Sequence, residues 1–201
     1  FDTASFYGTE QALGDALKAS GVPREELFLT SKLWKDEMGY ENALAAFERS
    51  LQKLGTDYLD LYLIHWPRPD DLTAEWQQLD RDTWRALEEL YRAARVRAIG
   101  VSNFLPHHLR NLMETAEIMP MVNQIEFHPG YPQTYTVEFC KAHGILPEAW
   151  SPLGRTRVLQ DERLAGIAAK YGKSVAQLCV RFALQCGVAP LPKSSSPARM
   201  Q

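Results

Sequence analysis

A charged, hydrogen-bonding or aromatic residue stands at or near the close of each short apolar run in this sequence. These residues are Asp2, Lys32, His65, Ser102, Asn103, Gln124, Trp150, Ser151, Lys193 and Ser194. Carboxylate, ammonium and imidazole groups hold or transfer protons, and amide and hydroxyl groups fix a bound ligand through hydrogen bonds. A single residue of this kind has an ordinary explanation as a solvated strand end, but the repeated pattern predicts one shared site.

The elements that carry these residues alternate along the chain. Strands are predicted at 1–5, 27–33, 59–66, 96–103, 122–127, 144–150 and 188–194. Amphipathic helices are predicted at 40–54, 83–93 and 174–186, with Ser174 as the N-cap of the last, and a long loop is predicted over 66–82. Strands that alternate with helices predict βαβ units and therefore a parallel sheet.

Two parallel-sheet architectures compete, the open doubly wound sheet and the (β/α)8 barrel. The sequence contains no GxGxxG, the pattern expected after the first strand of an open dinucleotide-binding sheet, and no YxxxK, P-loop or GxSxG pattern. In a barrel, chemistry takes place at the C-terminal ends of the strands, where the polar residues fall. The predicted fold class is therefore α/β, a (β/α)8 TIM barrel, as a single domain over 1–201.

Composition limits the other possibilities. The 201 residues are 45% hydrophobic and carry a net charge of −3, which supports a real core and argues against a general nucleic-acid binder. The three cysteines have no CxxC spacing, so we expect neither a disulfide framework nor a thiolate metal site, and we expect a cytoplasmic protein. No run approaches the roughly 18 apolar residues of a membrane helix.

Seven segments of the sequence resemble the aldo-keto reductase family. They are DTAxxYG, SKLW, IHWP, GVSNF, NQIEFHP, WSPLG and PLPKS, and they stand here in that family's order over essentially the whole chain. The resemblance implies a barrel that binds NADPH in extended form and reduces aldehydes and ketones to alcohols. The bacterial branch acting on small dicarbonyls and 2,5-diketogluconate is the most similar.

By this resemblance, Asp2, Tyr7, Lys32 and His65 match the family's catalytic tetrad. Hydride transfer to a carbonyl builds negative charge on the oxygen, so a proton donor is needed beside it. We expect Tyr7 to be that acid and Lys32 to lower its pKa from the usual value of about 10. Asp2 would hold Lys32 in place, and His65 would donate a hydrogen bond to the substrate oxygen.

The resemblance also implies a set of cofactor-binding residues. They are Ser102, Asn103 and Gln124 at the nicotinamide carboxamide, Trp150 stacked on the nicotinamide ring, Ser151, Leu153 and Gly154 at the pyrophosphate, and Lys193, Ser194 and Arg199 around the adenosine 2′-phosphate. Arginine binds a phosphate through two parallel hydrogen bonds and lysine acts on it as a point charge. The sequence therefore favours NADPH over NADH as the cofactor.

The substrate side of the site is predicted to be aromatic. Phe6, Trp34 and Trp66 could form the mouth of a pocket beside His65. Candidate substrates are small dicarbonyls such as methylglyoxal and keto-sugars such as 2,5-diketogluconate. We expect a small carbonyl compound as the partner, with no metal, nucleic acid or membrane, and a monomer in the full-length form.

The number of predicted strands bears on the ends of the chain. A closed (β/α)8 barrel needs eight strands, and seven are predicted. The family pattern makes the segment at Asp2 the second strand of the barrel. We therefore expect the sequence to be an excerpt that lacks the first strand and helix and a C-terminal tail. The 201-residue polypeptide alone would then be poorly soluble or inactive, because its edge strands would be unpaired.

Two other functions remain open on the same fold. One is a regulatory or structural role, as in the potassium-channel β subunits and the lens crystallins; oxidation of NADPH by methylglyoxal or glyceraldehyde would separate it from a reductase. The other is a Schiff-base aldolase in which Lys32 is the nucleophile. That reading predicts trapping of substrate on Lys32 by borohydride and leaves Tyr7 and His65 without a task.

Overall fold

The computed structural model describes residues 1–67 and 75–200, which fold into two compact units, Phe1–Val122 and Asn123–Gln201. The elements of the first unit are α1 (Glu10–Ser20), β1 (Thr30–Leu33), α2 (Tyr40–Leu54), β2 (Leu59–Ile64), α3 (Trp76–Arg92), β3 (Val96–Ser102) and α4 (Pro106–Met113). Those that follow are β4 (Val122–Glu126), α5 (Thr134–Ala142), β5 (Leu146–Trp150), α6 (Glu162–Lys170), α7 (Val175–Gln185), β6 (Ala189–Pro190) and α8 (Pro197–Met200). The predicted alternation of strands and helices is confirmed.

The three strands of the first unit form parallel pairs in chain order. Thr30 of β1 pairs with Leu61 of β2, which in turn pairs with Ala98 of β3. All four residues of β1 and all six of β2 are buried, as expected for a parallel sheet covered on both faces.

The predicted strand at 1–5 is reduced to a single parallel bridge between Asp2 and Thr30. The backbone N–H of Thr3 donates to the Thr30 carbonyl at 2.9 Å, but at Ser5 the chain enters a 3-10 turn that ends at Tyr7. This turn ends the extended segment, so the first residues lie beside β1 without forming a full strand.

Helix α2 begins and ends where the sequence predicts, at Tyr40 and Leu54. Its buried face includes Phe47, whose ring meets the Tyr62 ring of β2 edge-on at 5.0 Å between centroids. Burial of this apolar face against the strands stabilises the helix. The helix ends at Gly55, whose φ of 65° is a left-handed conformation that glycine adopts without strain.

The predicted loop over 66–82 is wrong in its second half, because α3 begins at Trp76. Residues 76–82 are mostly polar, which made them resemble a loop, but glutamine, leucine and arginine are good helix formers. Arg81 in this turn donates two hydrogen bonds to Asn111 of α4, at 3.0 and 2.7 Å, and these tie the turn to its neighbour. Residues 68–74 of the predicted loop lie outside the described residues.

The second unit has its own core, between strands β4 to β6 and helices α5 and α7. Its buried members are Ile125, Phe127, Val137, Ala149, Ala183 and Val188. Helix α7 has the predicted N-cap: Ser174 accepts a hydrogen bond from the Gln177 N–H at 3.2 Å, and the Gln177 side chain accepts one from the Ser174 N–H at 2.9 Å. The predicted strand at 188–194 is shortened to β6, because Pro190 and Pro192 have no N–H for a ladder.

Across the part of the chain that the structure describes, we find no helix with the length and apolar character required to cross a membrane.

Candidate active site

Lys32 and Asp2 form an ion pair at the start of the first unit. Lys32 lies in β1 with its side chain completely buried, and its ammonium also donates a hydrogen bond to the Thr3 carbonyl at 2.9 Å. The bridge between Asp2 and Thr30 brings the carboxylate to this position, because Thr30 lies two residues before Lys32. A buried ammonium needs such partners to offset its lost hydration.

Tyr7 stands at the end of the 3-10 turn Ser5–Tyr7, and Gly8 closes this turn with a φ of 66°. The Lys32 ammonium lies 5.2 Å from the centre of the Tyr7 ring, and the His65 ring lies 5.4 Å from it and nearly perpendicular. Tyr7 is about half exposed, at 48%. The phenol is thus close to the ammonium and the imidazole, and it is open to a ligand from outside.

The pKa of Tyr7 differs from the sequence prediction. We expected Lys32 to lower it, but burial, and to a smaller extent the negative charge of Asp2, raises the pKa of Tyr7 to about 12. Burial disfavours the charged tyrosinate, and so does the neighbouring Asp2 carboxylate. In the protein alone, Tyr7 is a protonated phenol at neutral pH.

His65 directly follows β2, and its backbone N–H donates to the Leu33 carbonyl at 3.1 Å. The side chain is buried, and this burial, together with the nearby charges of Lys32 and Lys35, lowers the pKa of His65 to about 3. At neutral pH the ring is therefore uncharged, with one N–H donor and one acceptor nitrogen.

Two aromatic rings lie beside His65. Phe6 and Trp34 are stacked, with centroids 3.8 Å apart and planes inclined by 18°, and we call this pair the aromatic wall. The centroid of Trp34 lies 5.0 Å from that of His65. Trp66 follows His65 in the chain and is 40% exposed. Phe6 and Trp34 thus meet as the sequence predicts, next to the imidazole.

Ser102 and Asn103 lie at the end of β3. Asn103 has a φ of 63°, and its side-chain N–H2 donates to the His65 carbonyl at 3.0 Å and to the Ser102 hydroxyl at 3.1 Å. These bonds tie the segment after β3 to the segment after β2. The amide of Asn103 is therefore fixed close to the imidazole-bearing segment.

Two of the polar residues lie inside strands and not after them. Lys32 is the third of four residues in β1, and Gln124 is the third of five in β4. Both residues therefore lie near the ends of their strands, as they do in the predicted runs 27–33 and 122–127.

In the second unit, Gln124 and Trp150 lie on strands β4 and β5. The Gln124 side chain donates to Glu148 at 3.1 Å, which fixes the orientation of its amide. Trp150 is the last residue of β5, and the Arg155 guanidinium lies 5.5 Å from the centre of its ring.

The loop after β5 has an unusual backbone. Ser151, Gly154, Arg155 and Thr156 all have positive φ, between 49° and 72°. A Cβ atom added at Gly154 would lie 2.9 Å from the Val158 side chain, so any other residue there would force a shift. Leu153 accepts a hydrogen bond from the Thr156 N–H at 2.9 Å within this loop. Such strain persists where the surrounding structure enforces it, and it is often found at ligand sites.

The last predicted residues follow β6. Ser194 accepts a hydrogen bond from the Ser196 N–H at 3.1 Å, which forms a tight turn before α8. Arg199 lies in α8, and the side chains of Lys193 and Arg199 are exposed. Both cations are thus accessible to an anion.

Sequence reasoning missed two pairs of interacting residues in the first unit. Glu37 accepts a hydrogen bond from the Ser5 hydroxyl at 2.6 Å, and the buried Glu10 accepts one from Ser31 at 2.6 Å. A glutamate three residues after Trp34 is a weak signal for a capped turn. Nothing in the sequence pairs these glutamates with serines that are 32 and 21 residues away.

Comparison with known proteins identifies the family. The model of the Aldo/keto reductase family matches residues 1–201. The chain belongs to the aldo/keto reductase family. It is 53% identical to the glyoxal reductase of Bacillus subtilis over 199 residues, which cover 99% of this chain and 69% of that protein.

Solved structures of the family give the same result. An aldo/keto reductase from Brucella melitensis matches with a TM-score of 0.91 and 47% identity, over 99% of this chain and 74% of that one. A Bombyx mori aldo-keto reductase in complex with NADP matches with a TM-score of 0.88 and 36% identity, over 99% of this chain and 70% of that one. The predicted family and the predicted α/β fold class of the (β/α)8 barrels are confirmed.

Proposed function

We propose that this protein reduces small aldehydes and ketones to alcohols, with NADPH as the hydride donor. The observation that carries the proposal is the meeting of Tyr7, Lys32 and His65 around one accessible position. Membership of the aldo/keto reductase family supports it.

Tyr7 is the proposed proton donor. A phenol whose pKa is raised to about 12 is fully protonated at neutral pH, so it holds the proton that an alkoxide needs. The alkoxide of a simple alcohol is a far stronger base than a phenolate, so the transfer runs towards the substrate oxygen. The Lys32 ammonium, 5.2 Å from the ring centre, would then stabilise the tyrosinate that is left behind.

His65 is the proposed hydrogen-bond donor to the substrate oxygen. Its Nδ1 is buried and has no hydrogen-bond partner among the described residues. A buried donor without a partner costs the full desolvation of that N–H, so the proton is better placed on Nε2. A neutral ring with Nε2–H donates to the oxygen without adding a mobile proton to the site.

The residues of the first unit fit a nicotinamide carboxamide. An amide offers one acceptor and two donors, and Ser102 and Asn103 supply hydroxyl and amide groups held by the hydrogen bonds described above. When bound, NADPH would supply the hydride, and Ser102 and Asn103 would orient its carboxamide. Taken by itself, the second unit offers the Gln124 amide and the Trp150 ring, whose flat face suits stacking on a nicotinamide.

Taken by itself, the second unit has residues that fit phosphate groups. The loop after β5 has successive residues with positive φ at 154–156, a strained backbone of the kind often found at ligand sites. Ser151, Leu153 and Gly154 belong to this loop. Lys193, Ser194 and Arg199 follow β6 and offer two exposed cations and a hydroxyl for a 2′-phosphate.

Small dicarbonyls and keto-sugars are the proposed substrates. The similarity to a glyoxal reductase supports dicarbonyls, and the aromatic wall beside His65 offers a flat apolar surface next to the reacting carbonyl.

The aldolase reading is disfavoured by the surroundings of Lys32. A Schiff base forms on a neutral amine, whereas Lys32 is ion-paired with Asp2 and donates a second hydrogen bond to Thr3. A reductase mechanism, by contrast, gives a role to each of the four residues Asp2, Tyr7, Lys32 and His65.

The test is NADPH oxidation followed by absorbance, with glyoxal, methylglyoxal, glyceraldehyde and 2,5-diketogluconate as substrates of the full-length protein. We expect turnover with at least one of them, and turnover slower by about 10²-fold or more in the variant Tyr7→Phe. Binding of NADPH without any turnover would favour a regulatory role and would contradict the proposal.

A further inference from the structure

The Glu37 carboxylate connects two turns of the first unit. Its Oε2 accepts hydrogen bonds from the Ser5 hydroxyl at 2.6 Å and from the Trp34 N–H at 2.9 Å. Its Oε1 accepts one from the Arg49 guanidinium of α2 at 3.0 Å. Ser5 begins the turn that carries Phe6, and Trp34 precedes the turn Lys35–Glu37. One side chain therefore joins the two segments that supply the aromatic wall.

These bonds favour the charged form of Glu37. Burial raises its pKa, but the hydrogen bonds from Ser5, Trp34 and Arg49 outweigh burial, so that the pKa of Glu37 lies below its usual value. A carboxylate accepts stronger hydrogen bonds than a neutral group, roughly twice as strong in typical cases. The connection between the turns is thus present throughout the neutral pH range.

The aromatic wall needs such a connection. Phe6 is 59% exposed, and its stack with Trp34 joins two surface turns that are 28 positions apart in the sequence. An aromatic pair adds only modestly to the stabilisation from its area burial, so the stack alone holds two turns weakly. The Ser5–Glu37 bond adds a second, polar tie within one residue of Phe6.

We propose that Glu37 is a positioning residue that determines substrate specificity, because its carboxylate holds Phe6 against Trp34. The inference rests on the proposed carbonyl reduction. A substrate with a flat apolar group packs on the wall and needs both rings in place. A small dicarbonyl such as methylglyoxal covers little of the wall and depends on Tyr7 and His65 alone. Glu37 therefore affects binding of aromatic aldehydes and leaves cofactor binding unchanged.

The first experiment compares Glu37→Ala and Glu37→Gln with a matched control, Glu48→Gln. Glu48 is also a glutamate paired with an arginine, but its partner, Arg95 at 2.9 Å, lies between α3 and β3 and belongs to neither turn. In Glu37→Ala the KM for 4-nitrobenzaldehyde should rise about tenfold, as expected for loss of a charged hydrogen bond. Glu37→Gln should lie between Glu37→Ala and the wild type, since its amide oxygen still accepts one of the bonds.

Other parameters separate this role from general destabilisation. In Glu37→Ala the KM for methylglyoxal and the Kd for NADPH should change less than about twofold. This is much less than the roughly tenfold rise expected in the KM for 4-nitrobenzaldehyde. The Glu48→Gln control should match the wild type throughout. Equal changes for both substrates, or no change for the aromatic one, would overturn the proposal.

A double-mutant cycle tests the bond itself. Ser5→Ala removes one hydroxyl and should raise the KM for 4-nitrobenzaldehyde in the same direction as Glu37→Ala. The double variant should be no worse than Glu37→Ala alone, because both changes break the same contact. Additive effects would mean that Ser5 and Glu37 act separately, contrary to the proposal.

A readout without turnover distinguishes this inference from the proposed function. Acrylamide quenching of Trp34 fluorescence is obtained as the difference between each protein and its Trp34→Phe form. Quenching should increase in Glu37→Ala and stay unchanged in Glu48→Gln. If the wild type reduces no carbonyl, the proposed function fails and quenching still decides the role of Glu37. Unchanged quenching in Glu37→Ala would overturn it.

Discussion

The Lys32 ammonium lies 5.2 Å from the centre of the Tyr7 ring, although α1 and a long connection separate the two residues in the chain. The bridge between Asp2 and Thr30 produces this approach, because it lays the first residues beside β1. The turn Ser5–Tyr7 then directs the phenol back over the strand. The candidate site therefore depends on the first seven residues being held against β1.

Replacement of Tyr7 by phenylalanine tests the proton donor. The Tyr7→Phe variant keeps the ring and its contact with His65 but removes the hydroxyl. We expect kcat to fall by about 10²-fold or more, the typical contribution of a general acid, whereas the Kd for NADPH should change little. Stopped-flow or steady-state NADPH oxidation measures the first, and fluorescence titration the second. A variant that retains most of the activity would show that another group supplies the proton.

Removal of Asp2 tests the electrostatics of the buried ammonium. Asp2→Asn leaves Lys32 charged, buried and without its counter-ion. Breaking a fully buried ion pair costs about 3–5 kcal/mol. Because the Asp2 side chain is 26% exposed, we expect a smaller loss, a decrease of about 2 kcal/mol in the free energy of unfolding measured in urea. The double variant Asp2→Asn, Lys32→Met removes both charges and should recover at least half of this loss. A double variant less stable than Asp2→Asn would contradict the explanation.

The lowered pKa of His65 makes a prediction about stability and pH. The folded protein holds His65 neutral down to about pH 3, whereas the unfolded chain protonates it near pH 6.5. The unfolded state therefore binds more protons between these values, so the free energy of unfolding falls as the pH is lowered through this window. For one such group the free energy of unfolding changes by at most about 1.4 kcal/mol per pH unit.

The measurement needs a variant without this group, since carboxylates also titrate in acid. Urea unfolding of the wild type and of His65→Gln should be compared at pH 7, 6 and 5. The stability of the wild type relative to the variant should decline by about 1 kcal/mol between pH 6 and 5. Parallel curves for the two proteins over this range would show that His65 is not held neutral by the fold.

Much of the fold was predictable from the sequence, because the signals were local. The bounds of α2 follow from its apolar periodicity, and the N-cap of α7 follows from Ser174 and Gln177. The start of α3 was missed because residues 76–82 are polar, and their helix is stabilised by contacts such as Arg81 with Asn111. Contacts between distant segments decide such cases, and a local pattern does not contain them.

The aromatic contacts beside His65 were predictable from the sequence, whereas the pKa of Tyr7 was not. Phe6, Trp34 and His65 meet as predicted, since each lies just beyond or beside a strand. The pKa of Tyr7 was predicted in the wrong direction, because its value depends on how deeply the phenol is buried and on how close the Asp2 carboxylate lies to it. Neither quantity is encoded in the spacing of the residues.

Replacement of Arg199 tests the choice of cofactor. Its guanidinium is exposed on α8 and is the proposed partner of the 2′-phosphate that distinguishes NADPH from NADH. In Arg199→Ala the Kd for NADPH should rise about tenfold, whereas that for NADH should change less than about twofold.

Arg163→Ala is the matched control for this test. Arg163 is also exposed and lies in the second unit, but it is paired with Asp161 at 2.9 Å and lies outside the proposed phosphate-binding residues. Arg163→Ala should leave the Kd for NADPH and the Kd for NADH unchanged, because the loss of one distant positive charge is largely screened at physiological salt. Equal losses of NADPH and NADH affinity in Arg199→Ala would indicate that Arg199 contacts a group that both cofactors share. Equal losses of NADPH affinity in the two variants would indicate a general effect of charge, not a specific contact with the 2′-phosphate.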